Sequence, residues 1–361
     1  MRNALIVVGK SLAQNEAYVD YILREYRKKV LNISSIRFLS ERNKDIFLEI
    51  SEAYKHYDNL LIAATPHSYA TIAKVIATLF EDNLVAKEDL LVPSKATQVA
   101  KNSFCIGEEK KINLIKTAPL QKLPPLLLET DKESINLFVF DVKEEEIAQV
   151  LEPLAQKMEV HYTTTSVTQE LYQVCVINKP FGNIAGFIQE AKNQFPQRLI
   201  VAHNIFEYLI DRFSAANKTI TFAESCTGGL LASMLTKIPG SSNIFNGSLV
   251  TYANEIKHAW LGVKKETLQT FGAVSEETVE EMLAGALRIA GADYAIAISG
   301  IAGPGGATPT KPVGTVVVGC RSKEEEIIRT KHFEGDRNYI QYQAAMYGVK
   351  LLLEVAKEDL L

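Results

Sequence analysis

Residues 224–229 read ESCTGG and lie between an extended apolar run and a segment with helical spacing. A helix that begins here would present its positive dipole end, and Gly228 and Gly229 would leave backbone amides open to an anion. Three interpretations stay open: a phosphate cradle, a nucleophile at Ser225 beside an oxyanion site, and a plain corner in which Ser225 or Thr227 caps the helix. The turn has neither a Walker A lysine nor GxGxxG spacing, so nucleotide motifs are not indicated.

A serine becomes a nucleophile only beside a base, and no histidine lies in a glycine-rich turn. Lys257 is the candidate base, because it falls in the first turn of a helix that Asn254 could cap, after a strand that ends at Tyr252. Burial and the helix dipole can both lower the pKa of a lysine from about 10.4. The alternatives are a solvated surface lysine and, for the nucleophile, the neighbouring Cys226, although adjacent residues leaving a strand point in opposite directions.

Two more turns rich in glycine and proline occupy residues 299–306 (SGIAGPGG) and 311–315 (KPVGT). Ligands of open α/β sheets bind at the carboxyl ends of the strands, so the first of these turns and ESCTGG face one pocket if their strands are neighbours. Arg337, at the start of the last predicted helix, could bind a phosphate or a carboxylate. It could also pair with Asp336 or Glu334.

The alternation of apolar runs and helical periodicity predicts α/β architecture throughout the chain. The first part is predicted as βαβαβα, a connection with three prolines follows between residues 116 and 134, and a short βαββα unit comes next. Helices in the first part are expected over 16–29, 44–56 and 70–80. The domains are predicted at 1–131, 132–197 and 198–361.

Composition and charge exclude several functional classes. With a net charge of −4 over 361 residues, the chain has no overall basic field for nucleic-acid binding. The four cysteines form no CxxC pair and no zinc spacing, so we expect no metal site and reduced thiols in a cytoplasmic protein. The first apolar run fits a β-strand better than a signal peptide, and no segment is long and apolar enough to span a membrane.

Six segments together closely resemble the C-terminal domain of the CinA family, the nicotinamide mononucleotide deamidases also called PncC. In order, they are AESCTGG, GSLVTYANEIKHAWLGV, FGAVSEETVEEMLAGA, DYAIAISGIAGPGG, KPVGTV and FEGDR. They cover roughly residues 200–361. The fold class implied is a multidomain α/β protein that ends in a CinA deamidase domain.

The resemblance implies an amidohydrolase that converts nicotinamide mononucleotide to nicotinate mononucleotide and ammonia, in pyridine nucleotide salvage. It also implies a serine-lysine mechanism without a metal or cofactor. On this chain the nucleophile would be Ser225 and the base Lys257, with Tyr252 orienting the pair. For the oxyanion we expect the amides of Thr227, Gly228 and Gly229 as donors.

The phosphoribosyl part of the substrate needs a separate subsite, which we expect in the glycine-rich turn and the last helix. The residues concerned are Gly303, Gly305, Gly306 and Arg337. The resemblance further implies a homodimer, whereas a membrane or nucleic acid is not expected as a partner.

The opening LIVVGKSLAQNEAYVDYI and the order of elements resemble the molybdopterin-binding-like domain of longer CinA proteins, which is associated with ADP-ribose pyrophosphatase activity. The glycine-rich turn expected there reads AATPHSYAT, in which Cβ atoms at Ala63, Ala64 and His67 would crowd a phosphate. No acidic group that would bring a metal is evident. We predict that residues 1–131 keep this fold, have lost the hydrolase site and serve assembly, and that 132–197 form a small α+β connecting domain.

Two other functions remain open. The family is tied to competence and to recombination proteins, so the chain could be a competence- or DNA-damage-associated interaction protein. It could also be a sensor whose nucleotide pocket does no chemistry. The presence of Ser225, Tyr252 and Lys257 together favours the enzyme, and ammonia release from nicotinamide mononucleotide would discriminate among the three.

Overall fold

The computed structural model describes residues 2–30, 32–87, 89–129 and 134–361. The chain has the mixed α/β architecture that the sequence predicts, and it divides into two compact units, Met1–Lys132 and Glu133–Leu361. The predicted boundary between residues 131 and 132 itself lies outside the described residues. Within the described ranges, no helix is long and apolar enough to cross a membrane.

The first unit is built around a mixed six-stranded sheet. The strands of this unit are β1 (Asn3–Val8), β2 (Ser35–Leu39), β3 (Asn59–Ala64), β4 (Leu84–Lys87), β5 (Leu90–Pro93), β6 (Gln98–Ala100), β7 (Ser103–Ile106) and β8 (Lys111–Lys116). Its helices are α1 (Lys10–Ala13), α2 (Glu16–Arg27), α3 (Ile46–His56) and α4 (Pro66–Leu79). The sheet order is β2-β1-β3-β8-β7-β6, while β4 and β5 form a separate antiparallel pair.

The central strands β1 and β3 are buried at every position and pair in parallel with their neighbours. Burial on both faces explains why these segments read as continuous apolar runs. The predicted βαβαβα order is confirmed by β1, α2, β2, α3, β3 and α4. Helix α4 starts earlier than predicted, at Pro66, because Thr65 caps it by accepting the Ser68 amide at 3.3 Å.

The second unit begins with a four-stranded antiparallel sheet. Its elements are β9 (Ser134–Phe140), α5 (Glu144–Lys157), β10 (Val160–Thr168), β11 (Leu171–Asn178), α6 (Ile184–Gln194) and β12 (Leu199–Val201), and the sheet order is β10-β11-β9-β12. The predicted βαββα order is confirmed, but the fourth strand lies beyond residue 197. Side chains of this sheet share one core with helices further along the chain, and a domain boundary at 197 stays a prediction.

The rest of the second unit is a five-stranded sheet between helices. Its strands are β13 (Ile220–Glu224), β14 (Leu249–Val250), β15 (Tyr294–Gly300), β16 (Thr315–Arg321) and β17 (Glu326–His332), in the order β14-β13-β15-β16-β17. Its helices are α7 (Ile205–Ala216), α8 (Leu230–Thr236), α9 (Asn254–Ile256), α10 (Lys265–Thr270), α11 (Glu276–Ala290), α12 (Arg337–Val355) and α13 (Lys357–Leu360). A 3-10 turn spans Ser241–Asn243, and a π-helical turn spans Lys257–Leu261.

Two layers of helix cover this sheet because its side chains alternate between faces. Ile220 and Phe222 of β13 pack in the core formed with α7, α8 and α12, whereas Ala223 packs against α11 on the other face. Strand β13 runs parallel to both β14 and β15. The carboxyl ends of these three strands therefore meet at one edge of the sheet.

Candidate active site

Ser225 lies immediately after β13, at the edge where the three parallel strands end. Its amide donates to the carbonyl of Ile298 in β15 at 2.9 Å, and its side chain is nearly buried, at 8% exposure. On the opposite side of β13, the Thr251 amide donates to the Glu224 carbonyl at 2.8 Å. Strands β13 and β15 are neighbours, which meets the condition set from the sequence, so the two turns that follow them face one pocket.

Lys257 enters the site from the π-helical turn and is 1% exposed. Its Nζ lies 2.9 Å from Ser225 Oγ and donates to the carbonyl oxygens of Thr251 at 2.8 Å and Tyr252 at 3.3 Å. A neutral amine has two N–H bonds and one lone pair. The two carbonyls can take both N–H bonds, which leaves the lone pair for the Ser225 hydroxyl. The interpretation of Lys257 as a solvated surface lysine is wrong.

Burial lowers the pKa of Lys257 from its ordinary value, because the interior destabilises the ammonium form. The sequence predicts Asn254 as the cap of the helix that leads to Lys257, but the structure differs. Ala253 occupies the N-cap position of α9, Asn254 is the first residue of the helix, and within the described residues no side chain caps it. The π-helical turn ends at Gly262, whose φ of +79° suits glycine. Such turns are frequent at functional sites because they change the direction in which one side chain points.

The amides at the start of α8 are largely occupied by Glu224. This fully buried carboxylate accepts the N–H groups of Gly229 and Leu231 at 3.1 Å each and of Ala232 at 3.0 Å. The Gly228 amide donates to the Ser225 carbonyl at 3.1 Å. The prediction that Gly228 and Gly229 donate to an oxyanion is therefore corrected, because both amides already have acceptors.

These two glycines serve the shape of the turn, since their φ angles of +61° and +93° lie in the left-handed region. In the described structure, the amides of Cys226 and Thr227 donate to no other residue. They are the two N–H groups of this turn that have no acceptor in another described residue, and the Cys226 N–H lies against its own thiol.

Cys226 lies next to Ser225, but its thiol is 5% exposed. Burial raises the pKa of this thiol to about 12, so the thiol is protonated at neutral pH. Its carbonyl oxygen accepts a hydrogen bond from Nε2 of Gln341 at 2.6 Å. Sequence reasoning missed Gln341, although it follows Arg337 by four residues and so shares its face of α12.

A cavity of about 220 Å³ opens beside the serine and the lysine. Seven of the residues singled out from the sequence line it: Ser225, Tyr252, Lys257, Gly303, Gly305, Gly306 and Arg337. Thr227, Gly228 and Gly229 are not part of its lining, whereas Cys226 is. The structure thus brings the dyad, the glycine-rich turn and the arginine to one place.

Arg337 reaches across the cavity from the first position of α12. It donates to the Gly303 carbonyl and to the Tyr252 hydroxyl, both at 2.7 Å. Ion pairing with Asp336 or Glu334 is not observed: Asp336 instead caps α12 by accepting the Tyr339 amide at 2.8 Å. Within the described residues Arg337 has no carboxylate partner, so its charge is available to an anion.

Tyr252 contacts Lys257 and Arg337 through different groups. The residue is 60% exposed, its hydroxyl accepts a hydrogen bond from Arg337, and its backbone carbonyl accepts one from Lys257 Nζ. That Tyr252 orients the serine-lysine pair stays a prediction. In the parts of the chain that the structure describes, no group of three or more histidine, cysteine or acidic side chains could hold a metal.

Similarity to known proteins places the chain in a family. The family model described as the CinA C-terminal domain matches residues 202–356. A protein of Clostridium beijerinckii whose name describes it as competence-damage inducible is 31% identical over 309 residues, or 76% of this chain and 74% of that protein. The chain belongs to the CinA family.

Other relatives match the C-terminal part alone. Within the CinA family, the nicotinamide-nucleotide amidohydrolase PncC of Enterobacter agglomerans is 49% identical over 135 residues, which are 37% of this chain and 82% of that protein. The CinA-like protein of Thermotoga neapolitana is 45% identical over 152 residues, which are 42% of this chain. That match spans only 37% of the length of the Thermotoga protein.

Proposed function

We propose that this CinA family member is an amidohydrolase that converts nicotinamide mononucleotide to nicotinate mononucleotide and ammonia. The observation that carries the proposal is the buried Lys257 Nζ, which lies 2.9 Å from Ser225 Oγ at the wall of a cavity. The 49% identity to a nicotinamide-nucleotide amidohydrolase over 135 residues supports the choice of substrate. Its place would be pyridine nucleotide salvage in the cytoplasm, with the chain acting as a homodimer.

Acylation begins with neutral Lys257, whose lone pair takes the proton of the Ser225 hydroxyl. Oγ attacks the carboxamide carbon, and the carbonyl oxygen becomes an oxyanion. The Lys257 ammonium then gives its proton to the amide nitrogen, the carbon–nitrogen bond breaks, and ammonia leaves. The nicotinoyl group stays bound to Ser225 as an ester.

Deacylation uses the same base. Lys257 takes a proton from water, and the hydroxide oxygen attacks the ester carbon. The bond from that carbon to Oγ breaks, and Oγ recovers the proton from Lys257. Nicotinate mononucleotide is released, and the serine and the neutral lysine are regenerated.

The phosphate of the substrate would bind to Arg337 at the wall of the same cavity. Arg337 has no carboxylate partner there among the described residues, and its guanidinium can bind a phosphate through two parallel hydrogen bonds. The turn that contains Gly303, Gly305 and Gly306 lets backbone approach the same anion.

Ammonia release from nicotinamide mononucleotide tests this function. Ser225→Ala and Lys257→Ala should each lower kcat by at least about 10³-fold, because removing either partner disables the nucleophile. Cys226→Ala is the matched control at the neighbouring position and should keep most of the activity. Full activity in either dyad variant contradicts the mechanism, and loss in the cysteine variant alone moves it to the thiol. Substrate binding without ammonia release would instead favour a sensor or interaction protein.

For the N-terminal unit we propose a molybdopterin-binding-like fold without pyrophosphatase activity. At the turn after β3, where a phosphate would bind, the Thr65 side chain already accepts the Ser68 amide and donates to Glu41 at 3.2 Å. Ala63 and Ala64 are fully buried and His67 is exposed. The purified protein should release no AMP from ADP-ribose, and a rate comparable with the deamidase rate would overturn this proposal.

A further inference from the structure

The turn that carries Ser225 has few free amides for an oxyanion. The Ser225 amide donates to a carbonyl of β15, and the Gly228 amide donates to the Ser225 carbonyl. The amides of Gly229, Leu231 and Ala232 at the start of α8 donate to Glu224. Cys226 and Thr227 remain, since in the described structure their N–H groups donate to no other residue. The Cys226 N–H belongs to the peptide group before Cys226, and the Thr227 N–H belongs to the peptide group after it. The directions of the two N–H groups therefore depend on how these two peptide groups are rotated.

Gln341 fixes one of these peptide groups. Its Nε2 donates to the Cys226 carbonyl at 2.6 Å, and that carbonyl and the Thr227 N–H belong to the same planar peptide unit. In a trans peptide the two point in opposite directions, so a bond that holds the carbonyl also aims the N–H. Ser225 is held on its other side by β15, and the segment between these two anchors cannot rotate freely.

Helix α12 gives Gln341 a rigid base. Ile340, directly before it, is buried, and the helix is almost fully buried from Ala344 to Leu353. Glu224 complements this arrangement from the other side, because it ties the start of α8 to the end of β13. The peptide at Cys226 is therefore fixed by groups that do not themselves reach the substrate.

We propose that Gln341 is a positioning residue for the oxyanion site of this enzyme. It holds the Cys226–Thr227 peptide, which contains the Thr227 N–H, and so limits the rotation of the adjoining Ser225–Cys226 peptide, which contains the Cys226 N–H. Both amides can then donate to the oxyanion formed when Ser225 attacks a carbonyl. The inference rests on the proposed function for its reaction, but it concerns any acyl or phosphonyl transfer to Ser225. A donor that is fixed in advance needs no reorganisation during the reaction.

The consequence is a separation of kcat from KM. The amides contact the oxyanion only in the transition state, so loss of their alignment should lower kcat and leave KM nearly unchanged. Removing a direct oxyanion donor costs about 10²- to 10³-fold in kcat. Loosening donors that stay in place should cost less, about 10- to 100-fold, by the same reasoning.

Three variants at position 341 and one control test the inference. Gln341→Ala removes the donor, Gln341→Glu also adds a negative charge, and Gln341→Lys keeps a donor of similar reach. We expect kcat to be highest in Gln341→Lys, close to that of the original enzyme, lower in Gln341→Ala and lowest in Gln341→Glu. Gln343→Ala is the matched control, because Gln343 lies on the same helix and its Nε2 donates to a different carbonyl, that of Glu334, at 2.8 Å.

A fluorophosphonate probe gives a readout that does not depend on the substrate. Ser225 Oγ forms a bond to phosphorus, fluoride leaves, and Lys257 takes the serine proton, while the phosphoryl oxygen occupies the oxyanion site. Labelling of Ser225 should slow about 10- to 100-fold in Gln341→Ala, as for kcat, and stay unchanged in Gln343→Ala. The melting temperature of each variant is measured alongside.

The outcomes separate this inference from the proposed function. If nicotinamide mononucleotide is not hydrolysed but labelling slows in Gln341→Ala, the positioning role stands and the substrate assignment fails. If the original enzyme is active and Gln341→Ala keeps its kcat and labelling rate, the positioning role is overturned and the function stands. The positioning role is also overturned if Gln341→Ala changes KM and the melting temperature together but leaves kcat unchanged. It is overturned as well if the original protein neither hydrolyses the substrate nor reacts with the probe.

Discussion

At the scale of single residues, the proposed mechanism depends on the protonation of Lys257. In that mechanism Lys257 is the base for Ser225, and it can act only as the neutral amine. Lys257 is 1% exposed, and its Nζ lies within hydrogen-bond distance of two carbonyl oxygens and of Ser225 Oγ. In the neutral form the two carbonyls would take both N–H bonds, and the lone pair would be left for the Ser225 hydroxyl. The rate should therefore report the titration of this amine.

The pH dependence of kcat/KM follows from the lowered pKa of Lys257. The neutral form is the active one, so the rate should rise with pH and level off above a pKa that lies below 10.5. Cys226→Ala should leave this limb in place, because the pKa of that thiol is about 12. A limb centred at or above 10.5 in a pH profile of ammonia release would contradict the assignment of Lys257 as the base.

Sequence reasoning could single out Ser225 because its type carries chemistry and its turn follows a strand, whereas the choice of Lys257 over its neighbours depended largely on the family resemblance. It could not predict Glu224 or Gln341, whose types are common and whose roles depend on contacts formed only after folding. The sequence singles out Gly228 and Gly229 as donors of open amides, but the structure requires glycine at these two positions for a different reason. Their left-handed φ angles are required by the turn itself.

At the scale of elements, the start of α8 is defined by a side chain from the preceding strand. Glu224 ends β13, crosses the turn and accepts three amides of the helix start. A helix of seven residues is short, and its first amides would otherwise be buried without acceptors. Ser225, the proposed nucleophile, thus lies in a turn that the preceding residue, Glu224, holds to the start of the helix.

Glu224→Ala should lower the free energy of unfolding by about 2–3 kcal/mol, because buried amides lose their acceptor. Asp336→Ala is the matched control: this carboxylate caps α12 through one amide, at 2.8 Å, and should cost about 1 kcal/mol. Urea unfolding of both variants measures the difference. If the first substitution costs no more than the second, Glu224 does not hold the turn in the way described.

The predicted order of elements was confirmed where strands are long and apolar, as in β1 and β3. The sequence did not reveal β4 to β7 or β12, which have only three or four residues each, and it also missed β8, which has six. Pairing with neighbouring strands stabilises such segments, and this contribution has no local pattern in the sequence.

At the scale of the whole molecule, the second unit joins two sheets through a charged cluster. Lys350 of α12 is 3% exposed and donates to Glu170, in the turn between β10 and β11, at 2.9 Å. Lys331 of β17 donates to the same carboxylate at 3.0 Å. These contacts join parts of the chain more than 160 residues apart, and local sequence patterns carry no signal for them.

The Glu170 cluster predicts how stability changes in acid. Burial would raise the pKa of Glu170, but hydrogen bonds and charges from Lys350 and Lys331 outweigh it and lower the pKa from 4.5 to about 2. Its contribution is fully present above pH 4.5 and is lost as the pH falls towards 2. The stability difference between the original protein and Glu170→Gln should therefore shrink across this window.

The single tryptophan, Trp260, belongs to the second unit, so its fluorescence during urea unfolding reports on the relevant part of the chain. A difference between the two proteins that stays constant from pH 5 to pH 2 would show that Glu170 is not stabilised by the lysines.

The buried thiol beside Ser225 has a consequence for oxidation. Peroxides and alkylating reagents react with thiolates, and the Cys226 thiol is neutral and shielded from solvent. In the proposed mechanism the attacking atom is the Ser225 oxygen, which these reagents do not modify at neutral pH. We therefore expect the proposed reaction to be independent of the redox state of its surroundings, although a cysteine is the next residue in the chain.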